Sequence, residues 1–349
     1  MSKTLEMEIF KLSQKEEERA LVLHEKSIII DGAQASNFTD EYFKKVRSAG
    51  VTATIITVAW NHNLHQTVKL IWSWRAKINK NRDVALFPES MDSIFRAKKE
   101  KKVAYLFGFQ NTLPLEGDID LLEIYKSLGV RIIQLTYNEK NMVGCGCGEQ
   151  TDCGLSSFGI KVIERMNKLR IPVDLSHVGD KTAAEAIELA ELPVFSHSNA
   201  RSLCHNVRNI KDEQIKAIGK KEGIIGVNAY PSFVKRTKTE IGEKPMLSDF
   251  LDHIDYMVKL AGVDHVGMGL DFIENAPEEE FALLASNPEM WGLPNPQGIY
   301  EYPEGIEKIS EIFDITRGLV ARGYSDNEVR KIMGENWLRV LRKTEGEIA

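Results

Sequence analysis

The sequence predicts an α/β protein folded as a single (β/α)8, or TIM, barrel. Two observations carry that expectation: eight short apolar runs rich in β-branched residues, and amphipathic stretches between them. A short, nearly continuous apolar run is the signature of a strand buried on both faces. Parallel sheets have such strands because the connecting helices cover both sides. Eight of them alternating with helices close into a barrel. A doubly wound open sheet is the alternative arrangement of the same alternation.

The runs, in order, are 27–31, 51–58, 103–110, 131–137, 172–177, 193–197, 224–230 and 265–271. Between them, 158–169 and 182–189 place apolar residues at helical spacing. Ser325 and Glu328 form an S-x-x-E capping box that opens a closing helix through VRKIMGENWLRVL. Two segments fall outside the repeat. Residues 1–26 are predicted as a helical segment packed on the barrel, and 27–349 as the barrel domain. Residues 272–303 are acidic and proline-bearing and follow the last run. They read either as a lid over the barrel mouth or as a solvated connection.

Composition excludes several functions. Hydrophobic residues are 43% and charged residues 28%, ordinary for a soluble globular chain. The net charge of −6, with no basic stripe, argues against a nucleic-acid partner. No segment reaches the roughly 18 uninterrupted apolar residues of a membrane span. The charged N-terminus lacks the apolar stretch of a signal peptide. The expectation is a cytoplasmic protein with no membrane partner. Four cysteines are too few for a disulfide framework in 349 residues.

In such a barrel the functional groups sit at the C-terminal strand ends. The fifth run ends in Asp174-Leu175-Ser176-His177, the sixth in Phe195-Ser196-His197-Ser198, and the eighth in Gly269-Leu270-Asp271. Neutral imidazole is the commonest protein ligand for zinc-like metals, and a carboxylate binds metal or moves a proton. A single such histidine is usually just hydrogen-bonded. Two on adjacent strand ends, each preceded by serine, point to a functional pocket. Asn228 and Tyr230 end the seventh run and are candidates for substrate contact. Trp60 either floors the pocket or simply packs, and His62 and His65 read as surface residues. Cys145, Cys147 and Cys153 crowd the loop after the fourth run, in MVGCGCGEQTDCG. Their spacing matches no standard zinc pattern, so lining the pocket is favoured over holding metal.

The stretches GLSSFGIKVIERMNKLRIPVDLSHVGDKTAAEAI, SHSNARSLCHNVRNI, GIIGVNAYPSF and DHIDYMVKLAGVDHVGMGLDF resemble the renal (membrane) dipeptidase family. So does the closing GLVARGYSDNEVRKIMGENWLRVL, and the resemblance runs from about residue 25 to 342. It implies an amidohydrolase-type barrel, a two-zinc site that hydrolyses dipeptides, and a homodimer.

Carried over by position, the resemblance places the second-metal histidines on His177 and His197. The arginine that grips the substrate carboxylate falls on Arg208, and the aspartate that handles a proton or the substrate amine on Asp271. Three family positions are altered. Where the family has Asp-Gly-His-x-Asp, this chain reads Asp31-Gly32-Ala33-Gln34-Ala35, so both first-metal ligands are replaced by alanine. The bridging glutamate falls on Gln110, which carries no charge to offset two dications. The substrate-steadying histidine falls on Tyr137, whose hydroxyl can still donate to a developing oxyanion.

The remaining set is His177, His197 and the carbonyl oxygen of Gln110, with Asp271 beside it. It implies at most one zinc or similar divalent ion per chain. The expected function is a dipeptidase-like hydrolase acting on a dipeptide or small amide with a free carboxylate. Two other readings stay open. One is a catalytically silent barrel that binds a small carboxylate through Arg208. The other is metal-free acid–base chemistry by Asp271 and the two histidines.

Overall fold

The computed structural model describes residues 11–235, 244–276 and 302–345. Its strands are β1 (Ile30–Gln34), β2 (Ala53–Ala59), β3 (Ala85–Leu86), β4 (Val103–Phe109), β5 (Val130–Gln134), β6 (Val173–Asp174), β7 (Pro193–Phe195), β8 (Ile224–Val227) and β9 (Val266–Met268). All pairings between them are parallel. The order β2-β1-β9-β8-β7-β6-β5-β4 closes on itself because β2 also pairs with β4. The ring is therefore a closed eight-stranded barrel, and each of the eight apolar runs supplies one of its strands. The short β3 lies outside the ring, adding only Ala85 and Leu86 to the start of β4.

The period of two along each strand sorts side chains into two cores. Ile30, Ile55, Leu106, Ile132, Val194 and Ile224 belong to one buried cluster with Trp337 and Leu341 of the closing helix. Their strand neighbours Ile56, Val58, Tyr105, Phe107, Ile133 and Ile225 belong to the larger cluster shared with the surrounding helices. The inner space is full: a Cβ on Gly108 would come within 2.9 Å of both Ile55 and Ile132.

The capping box at Ser325 forms as the sequence predicts, with the Glu328 side chain accepting the Ser325 N–H at 2.8 Å. The helix then runs through a π-turn at Lys331–Glu335 into Asn336–Arg342. Trp337 is fully buried and packs against Gly32 of β1 and Gly267 of β9. Its indole N–H donates to Met268 O at 2.7 Å. It thus staples the seam between first and last strands, where the Asp31–Met268 pair is followed by a Gln34–Phe272 bridge.

At the other end of the chain, Gln14–Lys26 form a helix behind a Ser13–Glu16 capping box. It is tied to the helix Ile312–Ala321 by the Arg317–Glu17 ion pair at 2.6 Å. Most of the segment read as a lid, 277–301, lies outside the described residues. Among the described residues no helix is long and apolar enough to cross a membrane.

Candidate metal centre and anion pocket

The strands stop early and leave their chemistry in the segments just beyond. His177, His197 and Asp271 all follow the last residues of β6, β7 and β9, as the sequence pattern predicts. Asp174, the last residue of β6, organises the first two. Its Oδ1 accepts the backbone N–H of Ser176 (3.0 Å) and of Ser196 (2.9 Å). Ser176 Oγ in turn accepts the His197 N–H at 3.1 Å. The two Ser-His pairs are thereby locked side by side.

The hydrogen bonds are satisfied when both imidazoles carry their proton on Nδ1. Ser196 has one hydroxyl proton and donates it to Asp174 Oδ2 at 2.5 Å. Its oxygen must then accept from His197 Nδ1–H, 2.6 Å away. Asn138 Oδ1, an acceptor, faces His177 Nδ1 at 2.7 Å, so that nitrogen also carries the proton. Each ring keeps its lone pair on Nε2, and the two Nε2 atoms face each other at 2.9 Å. Two facing lone pairs repel unless a cation sits between them. Their separation is near the roughly 3.3 Å edge that two nitrogens span on tetrahedral zinc with bonds of about 2.0–2.1 Å. Metal-binding histidines characteristically commit the other ring N–H to an oxygen in this way.

Electrostatics suit the same role. Burial, and then the Arg208 charge, push both histidines well below their ordinary range, so they are neutral near pH 7. Tyr137 stacks on His177 with ring centres 4.3 Å apart and an interplanar angle of 26°.

Arg208 is 2% exposed. Its Nη2 donates to His197 O at 2.9 Å and its Nη1 to Ser198 Oγ at 3.3 Å, while its Nε has no partner. The guanidinium lies over the Phe233 ring, 5.1 Å from its centre. None of the ion pairs among the described residues includes it. A buried guanidinium with an idle donor and no direct ion pair has the chemistry to receive an anion, the carboxyls that act on it being those of Asp271 and Asp174.

Burial raises the Asp271 carboxyl to about 7, against the opposing pull of the nearby Arg208 charge, which favours the ionised form. Asn228 Nδ2 donates to Asp271 Oδ2 at 3.3 Å. Asn228 itself is fully buried, and its Oδ1 accepts the Tyr230 N–H at 2.5 Å. Asn228, which the sequence suggested as a substrate contact, thus turns its side-chain amide to Asp271. Tyr230 is 4% exposed and packs on Phe233 and Tyr302. Asp271, His177 and Asn138 all have left-handed backbone, with φ of 56°, 63° and 60°. Such strain persists only where surrounding contacts impose it, and it gathers at functional sites.

Two of the altered positions, Ala33 and Gln110, sit together. Ala33, Gln110 and Thr57 line a cavity of about 10 Å³ with Asp174 and Ser196, at the lower limit for one water. Gln110 Nε2 donates to Thr57 Oγ1 at 2.9 Å. No group of three His, Cys, Asp or Glu side chains gathers as a metal site among the described residues. The cysteines follow suit: Cys145 is buried, Cys147 half-buried and Cys153 exposed, all unbridged. Sequence reasoning missed Asn138, whose one signal was an amide able to adopt left-handed backbone after Tyr137.

Comparison with known proteins places this arrangement. Residues 17–282 and 294–348 match the family model described as membrane dipeptidase, peptidase family M19. An uncharacterised dipeptidase of Schizosaccharomyces pombe is 32% identical over 271 residues, covering 76% of this chain and 59% of that protein. A dipeptidase of Claviceps purpurea is 29% identical over 257 residues, covering 73% and 54%. The matches thus span just over half the length of these curated relatives. The crystal structure of an amidohydrolase from Pseudomonas aeruginosa superposes with a TM-score of 0.86 at 35% identity, covering 94% of this chain and 99% of that one. A Rhodobacter sphaeroides metallopeptidase, solved with a phosphinate mimic of L-Ala-D-Ala, shares the fold with a TM-score of 0.74 at 19% identity, covering 92% and 100%.

Proposed function

The chain belongs to the membrane dipeptidase family, peptidase family M19, and on that footing we propose that it hydrolyses a dipeptide or small amide bearing a free carboxylate, using at most one divalent ion per chain. The observation that carries this reading is the pair of bare Nε2 atoms on His177 and His197, 2.9 Å apart with both Nδ1–H groups committed. Gln110 is the proposed weak third ligand through its carbonyl oxygen, its amide nitrogen being taken by Thr57. A zinc-like ion held there supplies Lewis acidity to the scissile carbonyl.

The chain's own residues do the rest. Arg208 grips the substrate carboxylate with the guanidinium edge that has no protein anion. Asp271, with its carboxyl near 7, takes up or returns a proton at neutral pH. Asn228 keeps the Asp271 carboxyl oriented. Tyr137 stands where its hydroxyl can donate to the developing oxyanion. The homodimer implied by the resemblance belongs to the same proposal and is read by sedimentation.

The test is hydrolysis of a panel of free-acid dipeptides by protein supplied with one equivalent of zinc. Wild type should turn over and His177→Ala should not, while Arg208→Ala should raise KM. A second reading, a silent carboxylate-binding barrel, is favoured by the absence of a three-residue ligand cluster among the described residues. Tight binding of free acids with no turnover of any of them would select it.

A further inference from the structure

We infer that Asn138, held by the Gly-Cys-Gly-Cys-Gly turn, is a positioning residue that fixes His177 in the tautomer with Nε2 free. The functional consequence rests on the metal reading above, but the tautomer itself is independent of it. A neutral imidazole carries its proton on one nitrogen or the other, and the partner of one decides the state of its twin. His177 is buried and neutral, and the group facing its Nδ1 is the Asn138 carboxamide, 2.7 Å away. An oxygen there demands Nδ1–H and leaves Nε2 bare. An NH2 there would demand the reverse and place a proton where the ion belongs.

The turn at Gly144–Gly148 selects the oxygen. Cys147 Sγ–H donates to the same Asn138 Oδ1 at 3.3 Å. Reversing the amide would exchange an acceptor between two donors for an NH2 beside a weak sulfur acceptor. Asn138 Nδ2 is buried with no hydrogen-bond partner among the described residues, a cost that the two Oδ1 contacts must outweigh for this orientation to hold.

The backbone is clamped as well. Gly148 N–H donates to Asn138 O at 2.8 Å, and Cys147 N–H donates to His177 O at 2.8 Å. One short segment thus touches both the histidine and its orienting amide. Gly146 lies so close that a Cβ would fall 2.2 Å from the Asn138 carbonyl. The glycines permit this approach and the central cysteine supplies the donor, which gives the cysteine-rich loop a role that needs neither metal nor redox chemistry.

The experiment pairs two readouts. Nitrogen-15 spectra of the metal-free protein report the His177 tautomer, and competition with a chromophoric chelator reports zinc affinity. Asn138→Gly tolerates the left-handed backbone but removes the acceptor. It should mix the His177 tautomers and weaken zinc binding about 10- to 100-fold, the usual effect of losing an outer-shell partner. Asn138→Asp keeps the acceptor and should hold both near wild type. Cys147→Ala should show a smaller loss in the same direction, which Cys147→Ser restores; this pair carries the test if Asn138→Gly does not fold. An Nε2–H His177 in wild type, or unchanged tautomer and affinity in Asn138→Gly, overturns the inference. Absence of zinc binding by wild type with an Nδ1–H His177 would instead refute the metal reading and leave the positioning role standing.

Discussion

Replacing Arg208 by methionine should separate ligand binding from stability, because the buried guanidinium makes no direct ion pair among the described residues and on the proposed reading takes its anion from the substrate. In the free protein it makes one good hydrogen bond, to His197 O, and one long one, to Ser198 Oγ. Its Nε makes none. The lost hydrogen bonds, each worth about 1.5–3 kcal/mol to a charged donor, are offset by relief of a desolvation penalty of several kcal/mol. The unfolding free energy of Arg208→Met should therefore stay within about 1 kcal/mol of wild type or rise. Ligand binding has no such compensation. Truncating one side of a buried charge pair costs about 2–5 kcal/mol, or roughly 30- to 4,000-fold in Kd. Arg208→Lys should recover only part of this, since an ammonium cannot present two parallel donors. Calorimetry with dipeptides and their carboxamides, beside urea denaturation, reads both quantities. Equal affinity for acid and amide, with an unfolding free energy that falls by several kcal/mol in Arg208→Met, would show a structural arginine and refute the reasoning.

Elemental analysis after dialysis should find one metal equivalent or fewer, because Ala33 and Ala35 offer no ligand and Gln110 no charge; two tightly held ions would contradict the ligand assignment. The kcat/KM profile should rise as pH increases through about 7, as the raised Asp271 carboxyl ionises. Asp271→Asn should flatten that limb and lower turnover by about 10²–10⁴-fold, and an unchanged profile would remove Asp271 as the proton carrier. Asp31 is fully buried, with its carboxyl raised by burial to about 7 and one oxygen unpartnered. Its folded value lies above its unfolded one, so its contribution is fully present below about pH 4 and is lost as pH rises to 7. Asp31→Asn should gain on wild type across that window by up to about 4 kcal/mol, and parallel stability curves would show that the carboxyl does not titrate there. Gly32→Ala would put a Cβ 2.3 Å from the Trp337 ring and should cost about 1–3 kcal/mol by overpacking, partly recovered by Trp337→Leu; an unshifted midpoint would mean that the seam yields freely.

The barrel was legible because each ring strand is buried on both faces and so appears as an uninterrupted apolar run. Ala85-Leu86 left no such trace: two residues are too few to show a pattern, and that strand lies outside the ring. His177, His197 and Asp271 were legible as strand-end residues because the rim position follows from the fold. Their partners were not. Whether Asp174 reaches Ser196, or Asn228 reaches Asp271, depends on neighbouring strands, and local spacing does not encode it. Asn228 shows the difference: its place just past the end of β8 was legible, but its hydrogen bond to Asp271 was not. The idle Nε of Arg208 is equally invisible in sequence, since it is defined by what does not come near.

The Trp337 staple also bears on the order in which the molecule can be made. Synthesis delivers β1 early and β9 much later, and the indole that rivets their seam comes later still, in Asn336–Arg342. A growing chain on the ribosome can assemble β1, β2 and β4 while both edges of the unfinished sheet remain open. Unpaired parallel edges are templates for wrong partners. A chain ending before Asn336 would keep His177, His197 and Asp271 but lose the indole that rivets the seam.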